Sequence, residues 1–221
     1  MNKNIVILGC PRSGTSLVAN LIKSAGYDAD MNGTKQLMKP NSKFNPDGYF
    51  ERIDVVKTND MLIKEINDEY SFLNPPTLTE IQNHNSNNSD LIRINTELHS
   101  YNGWFLKDSR LAFTLNQYNL TNLHIIKVIR NKNSIKASMI NHYGNLFEHD
   151  VIQGPHKVKK IDFQQYYSHI NNCIDWQISK YPHIVISYEN VINNNIRVLN
   201  NFLEAHVDNS LIKKEYQNYA M

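Results

Sequence analysis

The chain has only two cysteines, Cys10 and Cys173, set far apart. That offers neither a disulfide framework nor a metal-ligand cluster, and it fits a reducing, cytoplasmic setting. Long apolar runs are missing as well. Nothing approaches the roughly 18 residues of a membrane span, and the start of the chain lacks the apolar core of a signal peptide. Charge of one sign is scarce: 23 Lys+Arg against 21 Asp+Glu gives a net +2. So small an excess gives no electrostatic case for nucleic acid, although a local basic site for an anionic ligand stays open. The nine histidines show no H-x-H or H-E-x-x-H spacing, so no metal site is expected. What is present is ordinary for a globular protein: 41% hydrophobic and 20% charged residues over 221 positions. That length suits one α/β domain spanning residues 1–221.

Four short apolar runs read as buried parallel strands, at residues 5–8, 104–106, 124–129 and 183–187. Helical periodicity between them predicts an α/β fold with a central parallel sheet flanked by helices. Leu17, Leu21 and Ile22 share a helix face that Gly26 closes as a C-terminal cap. Further helices are expected over 55–66, around Ile135, Met139 and Ile140, and over 161–180, 191–203 and 211–219. The polar stretches 32–48, 71–90 and 144–160 read as loops, the second holding Pro75-Pro76 and the asparagine-rich run HNSNNSD. Trp104 and Trp176 read as core, though either ring could stack on an adenine.

The most telling absence is a lysine. Residues 5–19 read IVILGCPRSGTSLVA: a strand, a loop with the G-x-x-x-x-G spacing of a phosphate-binding loop, then a helix. A nucleoside-triphosphatase loop continues with a lysine for the β- and γ-phosphates; here Thr15 stands in that place. Gly9 and Gly14 permit a tight turn and close approach of an anion. The amides of Ser13, Gly14, Thr15 and Ser16 open the helix, where unpaired N–H groups and the dipole favour negative charge. Thr15 and Ser16 add hydroxyls, and Arg12 supplies the cation with a planar donor fork. Cys10, just ahead of the helix, is either a stabilised thiolate or, if it faces the sheet, inert; the second reading is preferred.

The segment PRSGTS resembles the 5′-phosphosulfate loop of sulfotransferases that use 3′-phosphoadenosine 5′-phosphosulfate (PAPS), especially bacterial members. Three further segments in chain order strengthen the resemblance. Residues 125–138, IIKVIRNKNSIKAS, look like the family's 3′-phosphate motif, which implies that Arg130 and Ser138 bind that phosphate. Arg130 also falls at the carboxyl end of a strand, where open α/β sheets take ligands. Residues 44–51, FNPDGYFE, are similar to a family segment after the first helix. This makes Glu51 the candidate general base, against the plainer reading that it favours the first turn of a helix. Residues 105–111, FLKDSRL, resemble the family's K-D-P segment with Ser109 in place of proline. Lys107 is then the lysine that reaches the transferring sulfuryl group. Asp108 orients Lys107 or Arg110 or holds a turn, unless it is a Walker-type carboxylate for magnesium. Tyr188 and Glu189, in the family-like stretch ISYENV, read as structural.

The resemblance implies a P-loop-like sulfotransferase fold and transfer of a sulfuryl group from PAPS to a hydroxyl or amine, leaving adenosine 3′,5′-bisphosphate. Arg12, Lys107 and Glu51 would be catalytic, and no metal would be required. The variable loops, polar and rich in asparagine, lean toward a carbohydrate or small polar metabolite as acceptor. Lys157, Lys159 and Lys160 are either near an anionic ligand or simply solvated. A small-molecule kinase and a non-catalytic nucleotide-binding relative are the alternatives.

Overall fold

The apolar runs do build the sheet. Strands β1 (Asn4–Leu8), β2 (Phe105–Lys107), β3 (Leu123–Ile129) and β6 (His183–Ser187) lie in the order β2-β1-β3-β6, every neighbouring pair parallel. The computed structural model describes residues 3–41, 47–147, 151–153, 156–158 and 160–213. β1 carries five consecutive buried residues, the pattern of a strand covered on both faces. The next two strands in sequence lie on opposite sides of it: β2 on one flank, β3 on the other. The connections leaving β1 and β3 therefore diverge, opening a crevice at their carboxyl ends where such sheets bind ligands.

Helices cover both faces. Ile5, Ile7, Phe105, Ile126 and Val128 point to one side and pack against α1 (Thr15–Ser24), α8 (Tyr188–Ile192) and α9 (Arg197–Leu203). Val6, Leu8, Leu106 and Ile125 point to the other. There they meet α2 (Ile53–Ile66), α3 (Leu78–Asn83), α4 (Ser89–His99), α5 (Leu111–Thr114), α6 (Lys132–Tyr143) and α7 (Phe163–Ile178). Each such large apolar side chain is worth about 1.5–3 kcal/mol when removed from water. α1 ends in a double-bonded turn: the amide of Gly26 donates to the Lys23 carbonyl and that of Tyr27 to the Ile22 carbonyl. Gly26 takes a left-handed φ of 91° there, which explains the glycine. Among the described residues no helix is long and apolar enough to cross a membrane.

The structure corrects several local expectations. The stretch 71–90 is mostly loop, as expected, but not entirely. It contains α3 and the start of α4, because Thr77 and Glu80 form a reciprocal capping box and Asn88 caps α4. The stretch 144–160 holds a short antiparallel hairpin, β4 (Val151–Gln153) with β5 (His156–Val158). The expected helix over 191–203 is two helices, α8 and α9. Asn194 between them takes φ 63°, and the amide of Asn195 folds back onto the Asn190 carbonyl. Trp104 is core as expected, donating from its indole nitrogen to the Leu98 carbonyl, while Trp176 is half-buried with the Lys180 ammonium over its ring. Residues 44–46 of the FNPDGYFE segment, Lys159 and residues 214–219 of the expected last helix lie outside the described residues.

Candidate active site

The loop after β1 is held in a shape that its sequence must be forced to adopt. Arg12 takes φ 69° and Gly14 φ 94°, so two residues of the turn are left-handed. For arginine that conformation is uncommon and carries strain. Gly14 forms the amino-terminal cap of α1, and no side chain caps the first turn. The Ser13 amide is used inside the turn, donating to the Cys10 carbonyl at 3.0 Å. The Ser13 hydroxyl is fully buried beside Gly9 and has no hydrogen-bond partner among the described residues. Cys10 faces the core, and burial pushes its thiol up to about 12, which removes the thiolate reading.

The first loop and the end of β3 meet. Arg12 Nε donates to Ser138 Oγ at 3.0 Å, although the two residues are 126 positions apart. Arg130 Nη1 donates to the Arg12 carbonyl, also at 3.0 Å. Asn131 caps α6 by accepting from the amides of Asn133 and Ser134, which orients the helix that carries Ser138. Burial lowers the Arg12 pKa; Tyr143 and Tyr49 oppose that, and Arg130 reinforces it. His142, nearby, is pulled below its usual value by burial and by the Arg12 charge, so it adds no cation at neutral pH.

A second constellation forms where β1 meets β2. Lys107, the last residue of β2, is 5% exposed. Its ammonium donates to Glu51 Oε1 at 2.7 Å and to Ser16 Oγ at 3.0 Å. One lysine thus joins the candidate base to the first turn of α1. Glu51 is fixed by its backbone: its carbonyl accepts from the Met38 amide, and Phe50 before it takes φ 58° with its ring buried near Phe105. Burial raises the Glu51 carboxyl above its ordinary value; Lys107 opposes this and Asp108 adds to it. Glu51 precedes α2 and takes no part in capping it, since Arg52 occupies that position.

Asp108 does not orient Lys107. It is 1% exposed, accepts from Asn59 Nδ2 at 2.8 Å on one oxygen, and accepts from the amide and Nη1 of Arg110 on the other. Asn59 in turn accepts from the hydroxyls of Thr114 and Tyr118. With both carboxylate oxygens engaged, Asp108 fits a structural corner better than a magnesium ligand. Tyr49, next to Phe50 in the FNPDGYFE segment, is readable from the sequence as cover for Glu51; Asn59 and Tyr143 are not. Tyr49 lies under the Lys107 ammonium at 5.9 Å, and the hydroxyl of the half-buried Tyr143 is pushed up to about 12. Nothing in the spacing of Asn59 or Tyr143 signals a place at the crevice, since only tertiary packing brings them there.

The chain matches no protein-family model and no curated protein. Among solved structures it is similar to the sulfotransferase domain from the curacin biosynthetic pathway, at 16% identity and TM-score 0.48, over 96% of this chain and 77% of that one. It is also similar to sulfotransferase STF1 from Mycobacterium tuberculosis H37Rv, at 12% identity and TM-score 0.44, over 100% of this chain and 71% of that one.

Proposed function

We propose that the chain is a P-loop-like sulfotransferase that moves a sulfuryl group from PAPS to an acceptor hydroxyl or amine. The observation that carries this reading is the arrangement of cations around a loop that lacks the triphosphatase lysine. Arg12 and Arg130 are tied together across the β1–β3 crevice, while Lys107 bridges Ser16 and a buried carboxylate. The residues fit the donor: the uncapped start of α1 suits a 5′-phosphate, and Arg130 with Ser138 suits a 3′-phosphate. Arg12 and Lys107 would neutralise charge on the sulfuryl and bridging oxygens.

In the transfer, the acceptor oxygen bonds to sulfur and the bond from sulfur to the 5′-phosphate oxygen breaks. The acceptor proton goes to Glu51, and adenosine 3′,5′-bisphosphate leaves. A carboxylate whose pKa is raised by burial is a better base than an exposed one, and Lys107 beside it favours its charged form. The carbohydrate or polar metabolite suggested by the loops is the acceptor class to try first. The protein is read as a cytoplasmic enzyme that needs no metal for transfer.

The experiment is transfer of labelled sulfate from PAPS to a panel of sugar, phenol and amine acceptors. The native protein should label at least one acceptor without added metal. Glu51→Gln should cut the rate by about 10²-fold with little change in donor affinity, and it should remove the acid limb of the pH profile. A fully active Gln variant would place the base elsewhere, and ATP-dependent phosphorylation of an acceptor would favour the kinase reading.

A further inference from the structure

Tyr188 and Glu189 play no part in the chemistry above, yet they sit against it. The Tyr188 side chain is buried, with one edge on the phosphate loop: a Cβ placed on Gly14 would come 2.2 Å from its Cδ2 atom. Its face carries the Arg130 guanidinium, 4.4 Å from the ring centroid. The same guanidinium donates to the Arg12 carbonyl, two residues before Gly14. The next residue, Glu189, accepts from the amide of Asn131 on one oxygen and from the Ser187 hydroxyl on the other. The corner between β6 and α8 thus grips Arg130 at both ends: Glu189 holds the backbone just after it, and Tyr188 holds its charged head.

We infer that Tyr188 is a positioning residue, its ring being the strut that sets the Arg130 guanidinium at a fixed place relative to the phosphate loop. An arginine side chain loses much rotamer freedom when it binds an anion, and a stacked, pre-ordered guanidinium has less left to lose. The strut also explains why position 14 has to be glycine on two counts: its φ is left-handed, and the space where a side chain would go is filled by the ring. What the ring contributes is specificity. It acts on the group that Arg130 reads and leaves the 5′-phosphate contacts of α1 in place.

This inference rests on the donor reading for its ligand, so the test carries one arm with no ligand. Calorimetric titration with adenosine 3′,5′-bisphosphate and with adenosine 5′-phosphate gives a selectivity ratio for the native protein, Tyr188→Phe and Tyr188→Leu. Tyr188→Leu should lower that ratio about tenfold, the size expected from losing a desolvated cation–π contact, by weakening the bisphosphate alone. Tyr188→Phe should keep most of it. An unchanged ratio in the leucine protein overturns the inference, and so does a phenylalanine protein as impaired as the leucine one. Tyr188→Met takes the leucine variant's place if that protein does not fold. In the ligand-free arm, the Arg130 Nε–H resonance should be displaced by the ring current in the native and Y188F proteins and return toward its random-coil position in Y188L. The same resonance position in all three overturns the strut. If the native protein fails to prefer the bisphosphate, the donor reading falls, and the resonance arm still decides for or against the strut.

Discussion

The two sides of the β1 mouth hold their cations differently. Toward β3, the guanidinium groups of Arg12 and Arg130 give hydrogen bonds to a hydroxyl and a carbonyl, with an aromatic face beneath Arg130. Toward β2, Lys107 and Arg110 are met by carboxylates: Glu51 for the first, Asp108 and Asp60 for the second. Burial works against the Arg110 charge, but Asp108 and Asp60 overcome it and its pKa is raised. Arg12, whose acceptor is a hydroxyl, keeps its charge available to an incoming anion, whereas Arg130 acts in part on the Glu189 carboxylate and Lys107, paired with Glu51, has most of its field cancelled locally. In the proposed reading the β3 side binds the anion, and the β2 side holds a proton acceptor next to a cation. Burying Glu51 without Lys107 would leave an uncompensated charge, so the pair also secures the fold.

The largest effect should come from breaking the binding side. Arg12→Ala should lower turnover by about 10²–10³-fold while leaving the thermal midpoint close to native, because its bond to Ser138 is replaceable by water. Steady-state rates together with a melting curve check this, and unchanged turnover would remove the central role of the loop. On the paired side the expected effect is on stability. Lys107→Met should cost about 3 kcal/mol at neutral pH by stranding a buried carboxylate, in addition to slowing transfer. The sign with pH follows from the carboxyl itself. Without Lys107 the folded-state pKa of Glu51 rises further above its unfolded value, so the fold is favoured while Glu51 is protonated and loses stability as pH rises through that range. Denaturant melts should therefore show a larger deficit at about pH 8 than at about pH 5. A deficit independent of pH would mean that the pair is not what holds Glu51 there.

Much of this contrast is legible in the sequence, and the reasons differ by element. β1, β2 and most of β3 are readable because burial on both faces needs unbroken apolar runs, whereas β6, expected to be buried, is an edge strand with Val185 exposed and only Ile186 buried; the loop is readable because glycines, a cation and hydroxyls sit at fixed spacing after the first run. Arg12 belongs to one segment and the pair Arg130 and Ser138 to another; the structure brings the two segments into contact. α3 and the start of α4 are masked by Pro75-Pro76 and the asparagine-rich run between them. Yet Thr77 with Glu80, and Asn88 ahead of Leu91, Ile94 and Leu98, carry the cap and the periodicity of helices. The break at Asn194 illustrates the converse, a periodic segment stopped by a left-handed residue. Asn59 and the strut role of Tyr188 were not legible, because each acts through partners tens of residues away that only the folded chain assembles.

The smallest expected effect concerns the cysteines, which separate the loop's helix end from its core side. Burial pushes Cys10 and Cys173 each up to about 12, so both thiols should resist alkylation in the native protein at mild pH and react on unfolding. Mass spectrometry after brief iodoacetamide treatment reads this directly, and rapid native labelling of Cys10 would put its sulfur in the crevice instead of the core.

The most direct test of the central claim is ligand-induced stabilisation with two nucleotides. Adenosine 3′,5′-bisphosphate without metal should raise the melting temperature, reaching about 2.7 kcal/mol of added stability at 100 times its dissociation constant. ATP with magnesium should add far less, and Arg130→Ala should erase the difference. Equal or greater stabilisation by ATP with magnesium, unaffected by Arg130→Ala, would contradict the account.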